Sequence, residues 1–195
     1  SPPFHPDVLS IEDEAGLIYD IKSVNQHAHV SIKISPTLGV GSTGFGLAKG
    51  DADIINIAGH SGGTGAAKQT SIKHVGLPME LGLREIALAL IKTALRELTQ
   101  LQVSGGLKTV EEVLIAAILG ADLFEFGTIT MLLVGCKMLR LCNKKDRCKP
   151  GVANGEQWFR GEAINVARFY VNLAALVQER LLELGFSSLQ ALKGH

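Results

Sequence analysis

Neither sign of charge is in excess in this sequence: 19 Lys and Arg face 19 Asp and Glu, for a formal net charge of zero. There is therefore no electrostatic case for nucleic acid or an acidic membrane surface as a partner. Long apolar runs are missing as well, with no uncharged stretch of the roughly 18 residues that a membrane helix needs. Cysteine is scarce. Its three copies cannot all pair with one another, which argues against a secreted disulfide scaffold and for a reducing compartment, the cytoplasm. The sequence shows no initiator Met and no targeting segment; it opens Ser1-Pro2-Pro3-Phe4, which reads as cut from something longer. What is present is ordinary for a globular domain: 195 residues, 46% of them hydrophobic, enough for one substantial core. Glycine is plentiful, at 22, and clustered in loops rather than scattered.

Four strand–loop–helix units organise the chain. A first helix is signalled by Ser10 as N-cap with Asp13 three residues on. Strands follow at 30–34, 53–58, 101–104 and 123–126, each short and apolar and each ending in small, polar or glycine residues. Helices are expected from the glycine stretch at 39–46 to about Lys49, over 79–98, from Thr109, and after Gly127-Thr128, the last carrying Cys136. Such alternation predicts an α/β fold of parallel units with right-handed crossovers. An amphipathic helix runs from about Glu162 to Leu184, with Asn165, Arg168, Asn172, Glu179 and Glu183 on one face and Gly185 as its stop. Ser187 or Ser188 caps a last turn. The chain reads as one domain, 1–195: a leading segment and helix (1–29), four β/α units (30–135), a cysteine loop (136–151) and C-terminal helices (156–195).

Ligands of parallel sheets bind at the carboxyl ends of the strands. There Ser104-Gly105-Gly106 runs into Leu107-Lys108-Thr109, and Gly127-Thr128 repeats the turn one strand later. Without β-carbons, backbone N–H groups can approach an anion, and a helix start adds favourable potential. Two such turns at successive strand ends suggest a phosphorylated cofactor such as FMN; the alternative is tight turns that need positive φ. Lys33 lies within an apolar strand, where it either points to a polar mouth, stabilising a reduced flavin or a substrate carboxylate, or sits in solvent on an edge. His60 and His74 flank the next glycine loop without metal spacing and read as ordinary loop histidines. Glu125, on an apolar strand, faces either the interior or a partner. Cys136, Cys142 and Cys148 fall within 13 residues, and three soft sulfur donors suit an iron–sulfur cluster better than four-coordinate zinc. Otherwise Cys136 is a small buried hydrophobe and the other two are incidental.

One family carries these residues as a string. The run Gly59-His60-Ser61-Gly62-Gly63-Thr64-Gly65-Ala66, then Thr70-Ser71-Ile72-Lys73-His74, Gly76-Leu77-Pro78 and Glu80-Leu81-Gly82-Leu83 resembles the flavin-domain signature of the glutamate synthase large subunit. Ser31-Ile32-Lys33, Gly105-Gly106-Leu107-Lys108-Thr109, Phe126-Gly127-Thr128 and the three cysteines extend the resemblance over essentially the whole chain. It implies the C-terminal half of a TIM-type (β/α)8 barrel that binds FMN and a 3Fe-4S cluster. The implied reaction is reductive formation of L-glutamate from 2-oxoglutarate and glutamine-derived ammonia. Lys33 would contact the flavin or 2-oxoglutarate, with Gly62, Gly63, Ser104, Gly105, Gly106, Gly127 and Thr128 around FMN. Cys136, Cys142 and Cys148 would be the cluster ligands. Ferredoxin or a pyridine-nucleotide-linked small subunit would donate electrons, in the cytoplasm or a plastid stroma. The missing barrel half, or a second copy, would complete the fold. The alternative is a non-catalytic half-barrel that binds FMN or phosphate and oligomerises.

The departures from that family are specific. Its cysteine spacing is five residues, then four, whereas here it is five and five, so Cys148 comes one residue late. Ser104 and Ser61 stand where the family has Asp, and Phe124-Glu125-Phe126 replaces Phe-Gly-Phe.

Overall fold

The computed structural model describes residues 8, 10–62, 70, 76–142, 144, 145 and 147–194. Helix α1, Ile11–Val24, starts where Ser10 turns to extended backbone: Ser10 Oγ accepts the Asp13 N–H, and Asp13 in return accepts the Ser10 N–H at 3.0 Å. This is the expected capping box, reinforced by Glu12 and Glu14 at the positive end of the helix.

Strands β1 (Ser31–Ile34), β2 (Ile54–Ala58), β3 (Gln100–Ser104) and β4 (Leu123–Glu125) form one parallel sheet in the order β1-β2-β3-β4. Each strand pairs with the next in sequence, as in successive units of a barrel. A doubly wound sheet instead reverses its strand order at a switch point. The connecting helices are α2 (Val40–Lys49), α3 (Met79–Lys92) and α4 (Val110–Leu119). Side chains alternate across the sheet. Ile55, Ile57, Leu101 and Val103 take the face covered by helices, where they are fully buried with Leu83, Ile86 and Leu90 of α3. Each such side chain contributes about 1.5–3 kcal/mol by leaving water. Helices α2 and α3 meet closely because position 44 is glycine: a Cβ there would lie 2.7 Å from Ile86 Cγ2.

Several boundaries differ from the sequence reading: β1 and β2 start one residue later than expected and β3 one residue earlier. Helix α3 ends at Lys92 instead of 98, because Ala94 turns left-handed (φ +56°) and the Leu95 N–H closes onto the Leu90 carbonyl. Strand β4 stops at Glu125, one residue short. Helix α5, Thr128–Leu133, ends before Cys136: Gly135 is left-handed (φ +92°), and the Cys136 N–H returns to the Met131 carbonyl. The cysteine therefore stands in a loop beyond the helix.

Helix α6, Ala163–Glu183, buries Leu173, Val177 and Leu181 against Val113, Leu114 and Ala117 of α4. Its five expected polar residues are all exposed, and it stops at Gly185 (φ +83°). Ser188 Oγ then accepts the Ala191 N–H to start α7, Leu189–Leu192. No helix among the described residues is long and apolar enough to cross a membrane.

Candidate functional site

The sheet's other face is polar, and the register explains why its groups meet. Lys33 of β1 lies level with Asn56 of β2, which is level with Gln102 of β3; Ser104 is level with Glu125 of β4. Glu125 reaches back along this face to all three residues of the other row. Its carboxylate accepts from Lys33 Nζ at 3.0 and 3.1 Å, from Asn56 Nδ2 at 2.5 Å and from Gln102 Nε2 at 3.4 Å. Burial opposes ionisation of Glu125, but the Asn56 amide, the Lys33 ammonium and Gln102 outweigh it and hold the carboxyl below its ordinary range. Lys33 combines features of both readings: it stands exposed on the edge strand β1, and its charge is paired with Glu125 on the polar face.

At the carboxyl end of the strands these residues open into a cavity of about 320 Å³. It is lined by Lys33 and Glu125 below, by Ser61 and Gly62 after β2, by Ser104 to Leu107 after β3, and by Gly127, Thr128 and Met131 after β4. Cys136, Met138, Arg140 and Cys142 close one side. This volume lies at the small end of ligand sites, about 300–1,000 Å³. The β2 and β3 loops touch backbone to backbone: the Gly62 N–H is turned back onto the Gly59 carbonyl, and the Gly59 N–H bonds to the Ser104 carbonyl. A Cβ on Gly105 (φ +93°) would lie 2.9 Å from the Gly62 nitrogen, so only glycine leaves this seat open. Ser104 is 4% exposed and its Oγ has no hydrogen-bond partner among the described residues. A buried hydroxyl without a partner, facing a cavity, suits a ligand that supplies one.

Sequence-predicted Lys33, Gly62, Ser104, Gly105, Gly106, Gly127, Thr128, Cys136 and Cys142 thus share one cavity. Gly63 and His74 lie outside the described residues, and His60 is absent from the lining. One expectation is not met: the start of α4 offers little to an anion. Its Thr109 cap accepts the Glu112 N–H, while the Glu112 carboxylate takes the N–H groups of Lys108 and Thr109. Anion contact therefore falls to the glycine turns and Lys33. Sequence reasoning missed Met138 and Arg140, whose left-handed backbones (φ +53° and +55°) wrap the segment from Cys136 to Cys142 over the cavity. Non-glycine residues give no sequence signal for that conformation. Asn56 and Gln102 were missed too, since only the register brings them to Glu125.

These groups fit FMN in kind: a lysine, a partnerless buried hydroxyl and glycine turns open to a phosphate or a ring edge. The cysteines fit a shared cluster less well. Cys136 and Cys142 line the cavity, but Cys148 is buried in its own turn, where its Sγ accepts the Ala153 N–H at 3.5 Å. That hydrogen bond, with other backbone N–H groups nearby, lowers the Cys148 thiol pKa. Asn154 ties the loop together, accepting from the Cys148 N–H and donating to the carbonyls of Cys142 and Lys144. Among the described residues, no three or more His, Cys, Asp or Glu side chains converge as a metal-binding set.

Comparison with known proteins places the fold and the cavity in context. The family described as "Conserved region in glutamate synthase" matches residues 1–187. The ferredoxin-dependent glutamate synthase of Antithamnion sp. is 46% identical over the whole chain, and the glutamate synthase [NADPH] large chain of Azospirillum brasilense is 45% identical. In each case the chain spans 13% of the relative's length. Among solved structures, a mandelate oxidase mutant with a monooxide FMN adduct superposes with a TM-score of 0.59 at 16% identity, covering 95% of this chain and 45% of that one. At that identity the likeness is one of fold.

Proposed function

The chain belongs to the glutamate synthase family, and from that premise we propose that its cavity is part of the family's FMN site. The segment would form the C-terminal half of the barrel in a glutamate synthase domain, with the other half supplied by further chain or by a second copy. The observation that carries this reading is the convergence of Lys33, the partnerless Ser104 Oγ and the Gly62–Gly105 seat in one cavity at the strand ends. FMN, when bound, would supply the hydride for reductive formation of L-glutamate from 2-oxoglutarate and glutamine-derived ammonia. Lys33 would hold the anionic end of the flavin or of 2-oxoglutarate. Ser104 would donate to or accept from the ligand, and Gly105, Gly106, Gly127 and Thr128 would let it approach the backbone. The overlying segment from Cys136 to Cys142 would shield the site from water. Ferredoxin or a pyridine-nucleotide-linked subunit would deliver electrons, and the compartment would be the cytoplasm or a plastid stroma, where three free thiols stay reduced.

Cys136, Cys142 and Cys148 would hold the 3Fe-4S cluster only after the Cys148 turn opens toward the cavity. The two sheet edges, β1 and β4, favour a second reading, a half-barrel that binds FMN or phosphate and oligomerises, without turnover.

Visible absorption of the chain, purified with FMN and with the complementary barrel half, tests the proposal. Flavin bands at about 370 and 450 nm that survive gel filtration are expected, and Lys33→Met should weaken retention. Adding 2-oxoglutarate and a reductant should then give glutamate. A complemented protein that retains no flavin would overturn the FMN reading. Flavin retention without turnover would favour the second reading. Iron and sulfide analysis of the same sample decides the cluster.

A further inference from the structure

We propose that Glu125 sets which ligands this cavity accepts: its carboxylate occupies the place on Lys33 that a ligand's anionic group would take, so a dianion must displace it or share the ammonium with it. The inference rests on reading the cavity as a ligand site and adds what that site selects. Both carboxylate oxygens face Lys33 Nζ, at 3.0 and 3.1 Å. The two side chains are 38% and 39% exposed and line the cavity, so the contact lies where a ligand can reach it. The carboxylate is not a loose rim charge. Asn56, itself only 5% exposed, and Gln102 fix it from two further strands.

A second carboxylate or a phosphate arriving at Lys33 meets a like charge at hydrogen-bonding range, and must either share the ammonium or expel Glu125 into the cavity. Lys33 and Glu125 thus present opposite charges side by side on the cavity wall. With Glu125 in place the cavity favours a ligand that carries an ammonium beside its carboxylate over a dicarboxylate that carries none. An amino acid can place its α-carboxylate toward Lys33 and its ammonium toward Glu125, whereas a dicarboxylate without an ammonium lacks the second contact.

The test is calorimetric titration of the full chain and of Glu125→Gln with 2-oxoglutarate, L-glutamate and inorganic phosphate. Glu125→Gln keeps the size of the side chain and an oxygen for Asn56. It is expected to tighten 2-oxoglutarate and phosphate by about two- to fivefold, the scale of a partly exposed charge contact, and L-glutamate by less. The gain should shrink as salt rises and vanish in Lys33→Met/Glu125→Gln, which a purely structural tie between strands would not produce. Glu125→Gly is the second variant should glutamine disturb folding, and the same gain is expected. Unchanged or weaker dianion binding in both variants overturns the proposal, as does binding of no anion by any form. FMN retention, read separately by absorbance, reports on the proposed function: flavin bound with no change in dianion affinity sinks only the Glu125 inference. Tighter dianion binding without flavin sinks only the FMN reading.

Discussion

A methyl group on residue 105 would press on the Gly62 nitrogen at 2.9 Å and the Gly59 carbonyl oxygen at 3.2 Å, from a backbone at φ +93°. Both objections are to backbone, which cannot move aside as a side-chain tip can. Gly105→Ala should therefore destabilise the chain by about 1–3 kcal/mol, read as a shift in urea midpoint at unchanged slope. A loss below about 0.5 kcal/mol, the scatter of ordinary surface changes, would mean that the two loops part easily. This glycine was legible in the sequence because a strand end followed by two glycines has few other uses. Lys33 was legible as an anomaly, a cation in an apolar strand. Its partner was not, because Glu125 lies 92 residues away and only the register of four strands brings them together. Single-residue reading finds the odd side chain; pairing it needs the sheet.

Helix ends show the same division among elements. Where glycine takes the left-handed position after a helix, at Gly120 (φ +117°), Gly135 and Gly185, the residue type itself carries the stop. Gly185 is the expected stop of α6, whereas the expected helix through Cys136 runs past Gly135, where α5 has already ended. At Ala94 the same closure is made by a residue with no such preference, and the end of α3 was placed six residues late. The opposite rim of the sheet depends on another tie that sequence does not show. Asp122, just before β4, accepts the Leu101 N–H at 2.7 Å and pairs with Arg96 at 2.7 Å and with Lys193. It joins β3, the turn after α3 and the end of α7. Burial opposes its ionisation, but Lys193, the Leu101 N–H and Arg96 prevail and keep the carboxyl below its ordinary 3.8. A carboxyl depressed by folding contributes stability that is present above the unfolded pKa and lost as pH falls through the folded one. Asp122→Asn should therefore cost about 2 kcal/mol near neutrality, and the difference from wild type should narrow in chemical denaturation as pH drops below 3.8. A gap that stays constant into acid would show that Asp122 acts through packing rather than charge.

In the whole molecule, the alternation of short strands and helices was enough to read α/β with parallel pairing, and the order β1-β2-β3-β4 bears it out. What composition and periodicity left open was whether such units close into a barrel; family resemblance supplied that expectation. Its physical consequence lies at the two edges. Among the described residues β1 and β4 each pair on one side only, and Lys33, Asn56, Gln102, Ser104 and Glu125 lie on the face away from Leu83, Ile86 and Leu90 of α3. A closed barrel removes such edges; an open one presents unpaired N–H and C=O groups to any strand that can add. Both edges belong to parallel ladders, so a two-fold axis parallel to the strands, on the polar side of the sheet, would set β4 of one copy beside β1 of the next in the sense the sheet already uses. The 195-residue chain alone should therefore self-associate, seen in sedimentation velocity as a rise in mean mass with concentration. Adding the complementary barrel half should replace that self-association with a one-to-one complex and leave the self-associated species depleted. A chain that stays monomeric across a hundredfold concentration range, and ignores the complementary half, would show that its edges are blocked. The cavity at the strand ends would then have to work as four strands alone.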